Sequence, residues 1–276
     1  MLRDLEREVI VVNGSVTDAS VVGRTLGARD VDTVFHLAAQ TIVGTANASP
    51  VPTFEANVAG TWTVLEACRL HEVPRTVVAS SDKAYGDPVE LPYREDMALR
   101  PRFPYDVSKA ATDMVARSYW HTYGVPVATT RFANLYGPGD ANRSRLVPEA
   151  CAAALAGRAP VIRSDGSPER DFLFVDDAVD AYRRIAAALD MPEGARGAAF
   201  NAGSGVPRSV LSVVERICAL AGTDVEPDVR GAGTPPGEID RQFVDATKLG
   251  ALTGWAPRVE LDEGLERTLA WHREHP

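Results

Sequence analysis

Tyr105 and Lys109 stand four residues apart in Tyr105-Asp106-Val107-Ser108-Lys109, and Ser81-Asp82-Lys83 lies 24 positions ahead of them. On a helix, residues at i and i+4 share a face about one turn apart, so the Lys109 ammonium can act on the Tyr105 phenol. An unperturbed phenol titrates near pH ~10, and its use as a base at neutral pH requires stabilising the phenolate by ~3 units, roughly 4 kcal/mol. A fixed neighbouring cation supplies much of that. With a carboxyl at Asp82 and an amine at Lys83, the chain carries the groups needed to oxidise a carbinol transiently and to move protons on the adjoining carbons. Residues of these types in this order point to an enzyme.

Such groups need a rigid scaffold. The first half of the chain alternates short apolar runs with amphipathic segments, as parallel strands joined by crossover helices do. The pattern predicts strands at Val9 to Val12, Thr33 to Leu37, Thr76 to Ser80, Val127 to Ala133 and Ala198 to Asn201. It predicts helices over Ala19 to Leu26, Val51 to His71, Tyr105 to Tyr123, Arg145 to Ala156, Val175 to Leu189 and Ser209 to Leu220. Turns fall at Gly86-Asp87-Pro88, Gly137-Pro138-Gly139 and Asp165-Gly166-Ser167-Pro168. After about Gly137 the pattern is less regular and richer in Pro, Gly and Arg. Residues 1–137 are therefore expected to form one domain and 138–276 mainly a smaller lobe, with the strand near 198–201 joining the first.

A chain of 276 residues with 45% hydrophobic content can bury a substantial core. Its net charge of -9, without a basic patch, argues against a nucleic-acid or anionic-membrane surface, so an anionic ligand would need local Arg residues. Cys68, Cys151 and Cys218 lack metal-ligand spacing, sit in apolar helical contexts and are expected to be buried, reduced thiols, with no metal bound. Met1 to Glu6 has no apolar signal core, and no stretch reaches the ~18 apolar residues of a spanning helix, so a cytoplasmic location is expected. His36 at a strand end is expected to be structural, and Trp62, Trp120 and Trp255 to be packing residues.

Six stretches carry a resemblance: Phe35 to Gln40, Asn57-Val58-Ala59-Gly60-Thr61, Ser80 to Gly86, Pro104-Tyr105 through Lys109, Arg131 to Gly139, and Arg170 to Asp177. In this order and spacing they resemble the extended short-chain dehydrogenase/reductase family, specifically its nucleotide-sugar epimerases and 4,6-dehydratases, over nearly the whole chain. A Tyr-x-x-x-Lys pair alone arises often by chance; six ordered stretches do not. The resemblance implies a Rossmann-like, doubly wound parallel sheet, a recycled NAD cofactor, and a nucleotide-diphosphate hexose as substrate. It assigns Tyr105 the proton of the sugar 4-hydroxyl and Lys109 the nicotinamide ribose. A 4-ketone acidifies the hydrogen on carbon 5, so a base there and an acid at the 6-hydroxyl can expel water. Asp82 would be that acid.

Family dehydratases usually read Thr-Asp-Glu at this turn, whereas this chain has Ser81 and Lys83 in the outer places. The Asp-Lys pair is similar to CDP-glucose 4,6-dehydratases, in which the Lys must act as a neutral amine; GDP-mannose 4,6-dehydratases are also near. Epimerases usually place small uncharged residues there, so a 4,6-dehydratase is expected. A 4-epimerase is the alternative, and a catalytically silent NAD-binding or scaffold protein is a third reading.

By the same resemblance NAD meets Asp18, Leu37, Ala38, Ala39, Asn57, Ser80 and Phe132 besides Tyr105 and Lys109. The substrate meets Gln40, Asn134, Leu146, Val147 and Arg170, an Arg fork being suited to phosphate. A second phosphate Arg of many relatives is replaced by Pro235-Pro236-Gly237-Glu238, for which Arg241 or Arg163 can compensate. Ser15 stands where relatives place an adenine-binding Asp. The Gly-x-x-Gly-x-x-Gly turn that binds the pyrophosphate at a helix N-terminus has no counterpart here. The strand at Val9 therefore resembles the family's third, implying that roughly 50 to 60 residues of a usual member precede it. A reading frame started downstream is favoured by the intact chemical groups, over a decayed gene or a second chain filling the gap. Without those strands a gap is expected between the strands at Val9 and Thr33, with poor NAD binding by this chain alone. Dimerisation is expected through helices 51–71 and 105–123.

Overall fold

The computed structural model describes residues 9–88, 90–191, 194–235 and 237–275; Met1 to Glu6 and Pro236, discussed above, lie outside them. In chain order, α1 (Ala19–Gly27) leads to β1 (Thr33–His36). Helices α2 (Val43–Ala48) and α3 (Pro50–Phe54), a π turn (Glu55–Ala59) and α4 (Gly60–Leu70) then lead to β2 (Arg75–Ala79). A 3-10 turn (Asp82–Tyr85) and α5 (Pro104–Tyr123) precede β3 (Val127–Phe132). The second half runs β4 (Asn134–Tyr136), α6 (Leu146–Leu155), β5 (Val161–Ile162), β6 (Glu169–Phe174), α7 (Val175–Ala188) and β7 (Ala199–Ala202). It ends with β8 (Pro207–Ser209), α8 (Val210–Ala221), β9 (Asp228–Val229), β10 (Arg241–Gln242), α9 (Thr247–Thr253) and α10 (Leu261–Glu274).

Strands β1, β2, β3 and β7 pair in that order, all parallel, with Phe35 opposite Val77, Val77 opposite Ala128 and Thr130 opposite Phe200. Parallel strands sandwiched by crossover helices must be apolar on both faces. β3 obeys this with all six residues buried, and Val77 and Val78 of β2 are buried on opposite faces. A second sheet runs β10-β6-β4, with β8 antiparallel on β6, and β5 pairs with β9. Its strands are only two to six residues long, which is why the sequence pattern there reads as irregular. α6, α8 and α10 pack a core of Val147, Ile217 and Leu265 against Phe172 and Phe174.

The expected strand at Val9 to Val12 does not form. These residues are extended coil and exposed, Ile10 to 73%. β propensity reflects fit to a half-buried pleated surface, and among the described residues the sheet ends at β1, with whose free edge Val9 to Val12 do not pair. The expected internal gap is thus an open edge at β1. The predicted helix over 51–71 occurs, interrupted by the π turn, and α2 precedes it without having been expected.

All three cysteines are free and buried. Trp255 is buried with Nε1 donating to the Asp177 carbonyl at 3.0 Å, and Trp120 packs against the helices of the first sheet. Trp62 differs from expectation: on α4 it is 49% exposed and packs into no core of the chain.

Candidate active site

The reactive turn begins where β2 stops. Ser80 is buried there with Oγ donating to the Lys109 carbonyl at 2.9 Å, which pins the strand end to α5. Ser81, with extended backbone, caps the 3-10 turn: its Oγ accepts from Lys83 N at 3.2 Å and donates to Asp82 Oδ1 at 3.0 Å. Gly86 closes the turn at φ 74°, and a Cβ there would lie 2.1 Å from the Arg100 carbonyl oxygen, so only glycine fits. α5 starts with Pro104 at its first position, where the missing N–H costs nothing, and presents Tyr105 and Asp106 in its first turn.

Electrostatics follow from burial. Burial raises the Tyr105 phenol above its ordinary value; the Ser81 hydroxyl opposes that, Asp82 and Asp106 add to it, and Arg145 opposes it. The Lys109 ammonium is not among these strongest influences. It donates to the Ala79 carbonyl at 2.8 Å, and desolvation brings it down to about 8. Asp82, 4% exposed, is pushed up to about 6 by burial, against the pull of Lys83 and Ser81. Its Oδ2 has no hydrogen-bond partner among protein atoms. Asp106 is likewise pushed up to about 6 by burial, with Lys83 opposing and Asp82 and Glu238 reinforcing. Lys83 Nζ donates to Gln242 Oε1 at 3.2 Å, tying the turn to β10 of the second sheet.

The other expected residues divide into those around this cluster and those engaged elsewhere. Asn57 is buried; its Oδ1 accepts from Gln40 N at 2.7 Å, and its Nδ2 donates to the Gln40 carbonyl at 3.0 Å and to Ser108 Oγ at 2.9 Å. It thereby holds the segment Leu37 to Gln40 against α5. The Gln40 side chain itself donates to the Ile42 carbonyl and to Thr53. Leu37 and Ala38 are exposed and Ala39 half-buried, at the carboxyl end of β1, while Phe132 at the end of β3 is buried beside the Tyr182 ring at 4.8 Å. His36 is structural in its contacts: Nε2 meets Thr61 Oγ1 at 3.1 Å, and burial together with Lys109 brings it down to about 4. Asp18 serves as N-cap of α1, accepting from Ser20 N and Val21 N.

Arg170 of β6 is buried and donates to the Glu238 carboxylate at 3.1 Å and to the Glu169 and Asp240 carbonyls. Asn134 Nδ2 is buried without a partner. Val147 lies in the α6 core, with Leu146 packed against it. Arg241 is half exposed, paired with Glu169 and stacked 5.1 Å over the Phe243 ring, and Arg163 is exposed. Sequence reasoning missed Asp106, Arg145, Glu238 and Gln242. Asp106 was visible as an acid beside the Tyr. Nothing local marks Gln242, whose role comes from β10 crossing to the turn.

Crevices at the carboxyl ends of parallel strands are where such sheets bind nucleotides, and Lys109 lies at the carboxyl end of β2, close enough to His36 at the end of β1 to act on it electrostatically. Leu37 and Ala38, exposed beyond β1, leave that strand end open to a ligand. No glycine-rich strand-turn-helix stands among the described residues for a dinucleotide pyrophosphate.

This sheet and this tyrosine-lysine helix define a Rossmann-like enzyme of the epimerase/dehydratase class. A family model described as GDP-mannose 4,6 dehydratase matches residues 2–268, and the chain belongs to that NAD-dependent family. It is 32% identical over 269 residues to a trifunctional UDP-glucose 4,6-dehydratase/3,5-epimerase/reductase of Arabidopsis thaliana. The match covers 96% of this chain and 39% of the plant protein, so the chain spans about two fifths of that relative's length. Among solved structures, a UDP-glucose 4-epimerase of Thermotoga maritima, solved with UDP-glucose, superposes with TM-score 0.92 at 29% identity, covering 100% of this chain and 88% of that one. The dTDP-glucose 4,6-dehydratase DesIV of Streptomyces venezuelae, solved with NAD, gives 0.89 at 31%, covering 99% and 82%. No helix among the described residues is long and apolar enough to cross a membrane.

Proposed function

We propose that this chain carries the activity of an NAD-dependent nucleotide-sugar 4,6-dehydratase, forming an NDP-4-keto-6-deoxyhexose from an NDP-hexose. The observation that carries the reading is the Ser81-Asp82-Lys83 turn, with Asp82 buried and its two neighbours half-buried, beside Tyr105. Bound NAD would supply the hydride acceptor at carbon 4. Tyr105 takes the proton of the 4-hydroxyl, helped by the Ser81 hydroxyl, and Lys109 holds the nicotinamide ribose from its seat on the Ala79 carbonyl. Lys83 takes the carbon-5 proton. Asp82, whose burial lets it keep a proton up to about pH 6, gives that proton to the departing 6-hydroxyl; carbon 6 of the resulting enone then takes the hydride back and carbon 5 the proton held by Lys83. Arg170 receives the diphosphate in exchange for the Glu238 carboxylate, with Asn134 Nδ2 as a ready donor.

In this reading residues 1–137, with β7, hold the dinucleotide, and 138–276 mainly hold the sugar nucleotide. Asp18, Leu37, Ala38, Ala39, Asn57, Ser80 and Phe132 form the cofactor side, and Gln40, Leu146, Val147 and Arg241 the substrate side. Exposed Val51, Trp62 and Met114 on the helices around 51–70 and α5 support a homodimer. The protein acts in the cytoplasm, on neither nucleic acid nor membrane. The second reading, a 4-epimerase, rests on the Thermotoga maritima likeness. Incubation with an NDP-hexose separates the two: a dehydratase yields a keto sugar absorbing in the near ultraviolet in alkali, whereas an isomer alone means an epimerase.

A further inference from the structure

We propose that Gln242 is a positioning residue for the elimination, a neutral fastener that holds the Lys83 amine over the sugar without supplying a counter-charge. This rests on the 4,6-dehydratase reading above. Gln242 is 0% exposed on β10, in register with Arg170, so its carbonyl is delivered to Lys83 Nζ by the second sheet, 159 residues away in sequence. Its Nε2 faces the Tyr93 hydroxyl, whose own hydrogen goes to the Gly86 carbonyl at 2.7 Å. That oxygen is left only to accept, which selects the orientation with the NH2 group toward Tyr93 and the carbonyl toward Lys83. Turning the amide over would set its carbonyl against a hydroxyl with no proton left to give and would take the acceptor away from Lys83.

The choice of an amide has chemical consequences. A carboxylate at this place would bind Lys83 more tightly but would favour its charged form. Carboxyls already surround it: Asp82 on its own turn and Asp106 on α5, with Asp171 and Arg170 of β6 beyond Asp82 and Glu238 beyond Asp106. A base that must accept the carbon-5 proton is served by an acceptor that fixes its nitrogen and adds no negative charge. The transfer balances within the reaction: Lys83 gains the carbon-5 proton, the electron pair forms the carbon 5–6 double bond, and the 6-hydroxyl leaves as water with the proton from Asp82.

The test compares Gln242→Glu with Gln242→Met in the full-length protein, with NAD supplied. If the inference holds, Gln242→Glu, which preserves size and strengthens the bond, loses about 10- to 100-fold in kcat at pH 7. The rising limb of its pH–kcat profile moves at least ~1 unit to the alkaline side, and activity returns at high pH. Gln242→Met loses kcat without that alkaline shift. In both, KM and calorimetric nucleotide-diphosphate affinity stay within about twofold, since Lys83 is not the diphosphate ligand. A Gln242→Glu protein with wild-type kcat and profile, or two variants that lose nucleotide affinity and melting temperature together with the profile unmoved, overturns the inference alone. A wild type that forms no keto sugar removes the dehydratase reading and this inference with it.

Discussion

The two edges of the parallel sheet are unlike. Along β7 the edge is closed: Phe200 and Ala202 are buried, Lys248 donates to the Ala199 carbonyl at 2.8 Å, and Leu249 and Trp255 complete the cover. Along β1 Phe35 and Leu37 are exposed, and Val9 to Val12 lie nearby in sequence as exposed coil. The Ser81-Asp82-Lys83 cluster sits at the end of β2, one strand in from the open edge, and the burial of Asp82, Asp106 and Lys109 comes from α5 and from β10 of the second sheet closing over that strand end. The exposed Leu37-Ala38 stretch after β1 borders the open side. An edge is covered where the chain supplies helices and side chains to pack on it, and it stays open where the described residues supply none.

The largest expected effect sharpens this contrast. Tyr105→Phe should lower keto-sugar formation by about 10²- to 10⁴-fold while urea unfolding stays within about 1 kcal/mol, because the hydroxyl's contact with Ser81 is worth about one ordinary hydrogen bond. Next, Leu173→Ala, in the core under β7, should cost about 2–5 kcal/mol in the same urea titration. A smaller loss would mean that the covered side is looser than its burial implies.

Asp82→Asn tests the electrostatics. A carboxyl raised from 3.8 to about 6 in the folded protein keeps its full relative stability below about pH 4 and loses it as pH rises through 6. Removing the charge should therefore stabilise the protein above pH 6, by about 3 kcal/mol at most, and leave it unchanged near pH 4. Melting curves at the two pH values decide, and equal shifts at both would sink the assignment. The smallest effect belongs to the open edge: Ile10→Lys should change stability by under about 0.5 kcal/mol. A loss above about 1 kcal/mol would break the comparison, since it would mean Ile10 is buried against something.

Much of this was legible beforehand. The alternation of β-branched runs with helical faces gave four of the five expected strands within one residue at each end, because strands buried on both faces leave a continuous apolar signature. Val9 to Val12 carries the same signature and is coil, because propensity describes fitness for a ladder and cannot supply its neighbour. The second sheet was illegible for the opposite reason: β4, β8 and β10 are too short for any period to register, although β10 delivers Gln242.

Residue order by itself determined the chemical inventory, Tyr105 and Lys109 on one helix and Ser81-Asp82-Lys83 after a strand, since helical spacing and turn chemistry are local properties. Tertiary structure alone decided how those groups are biased. Desolvation of Asp82, Asp106 and Lys109, the seat of Lys109 on Ala79, and the Lys83–Gln242 bond depend on which distant atoms displace water around each group. Charge energetics follow from that surrounding medium, and a linear chain does not specify it until the sheets have closed.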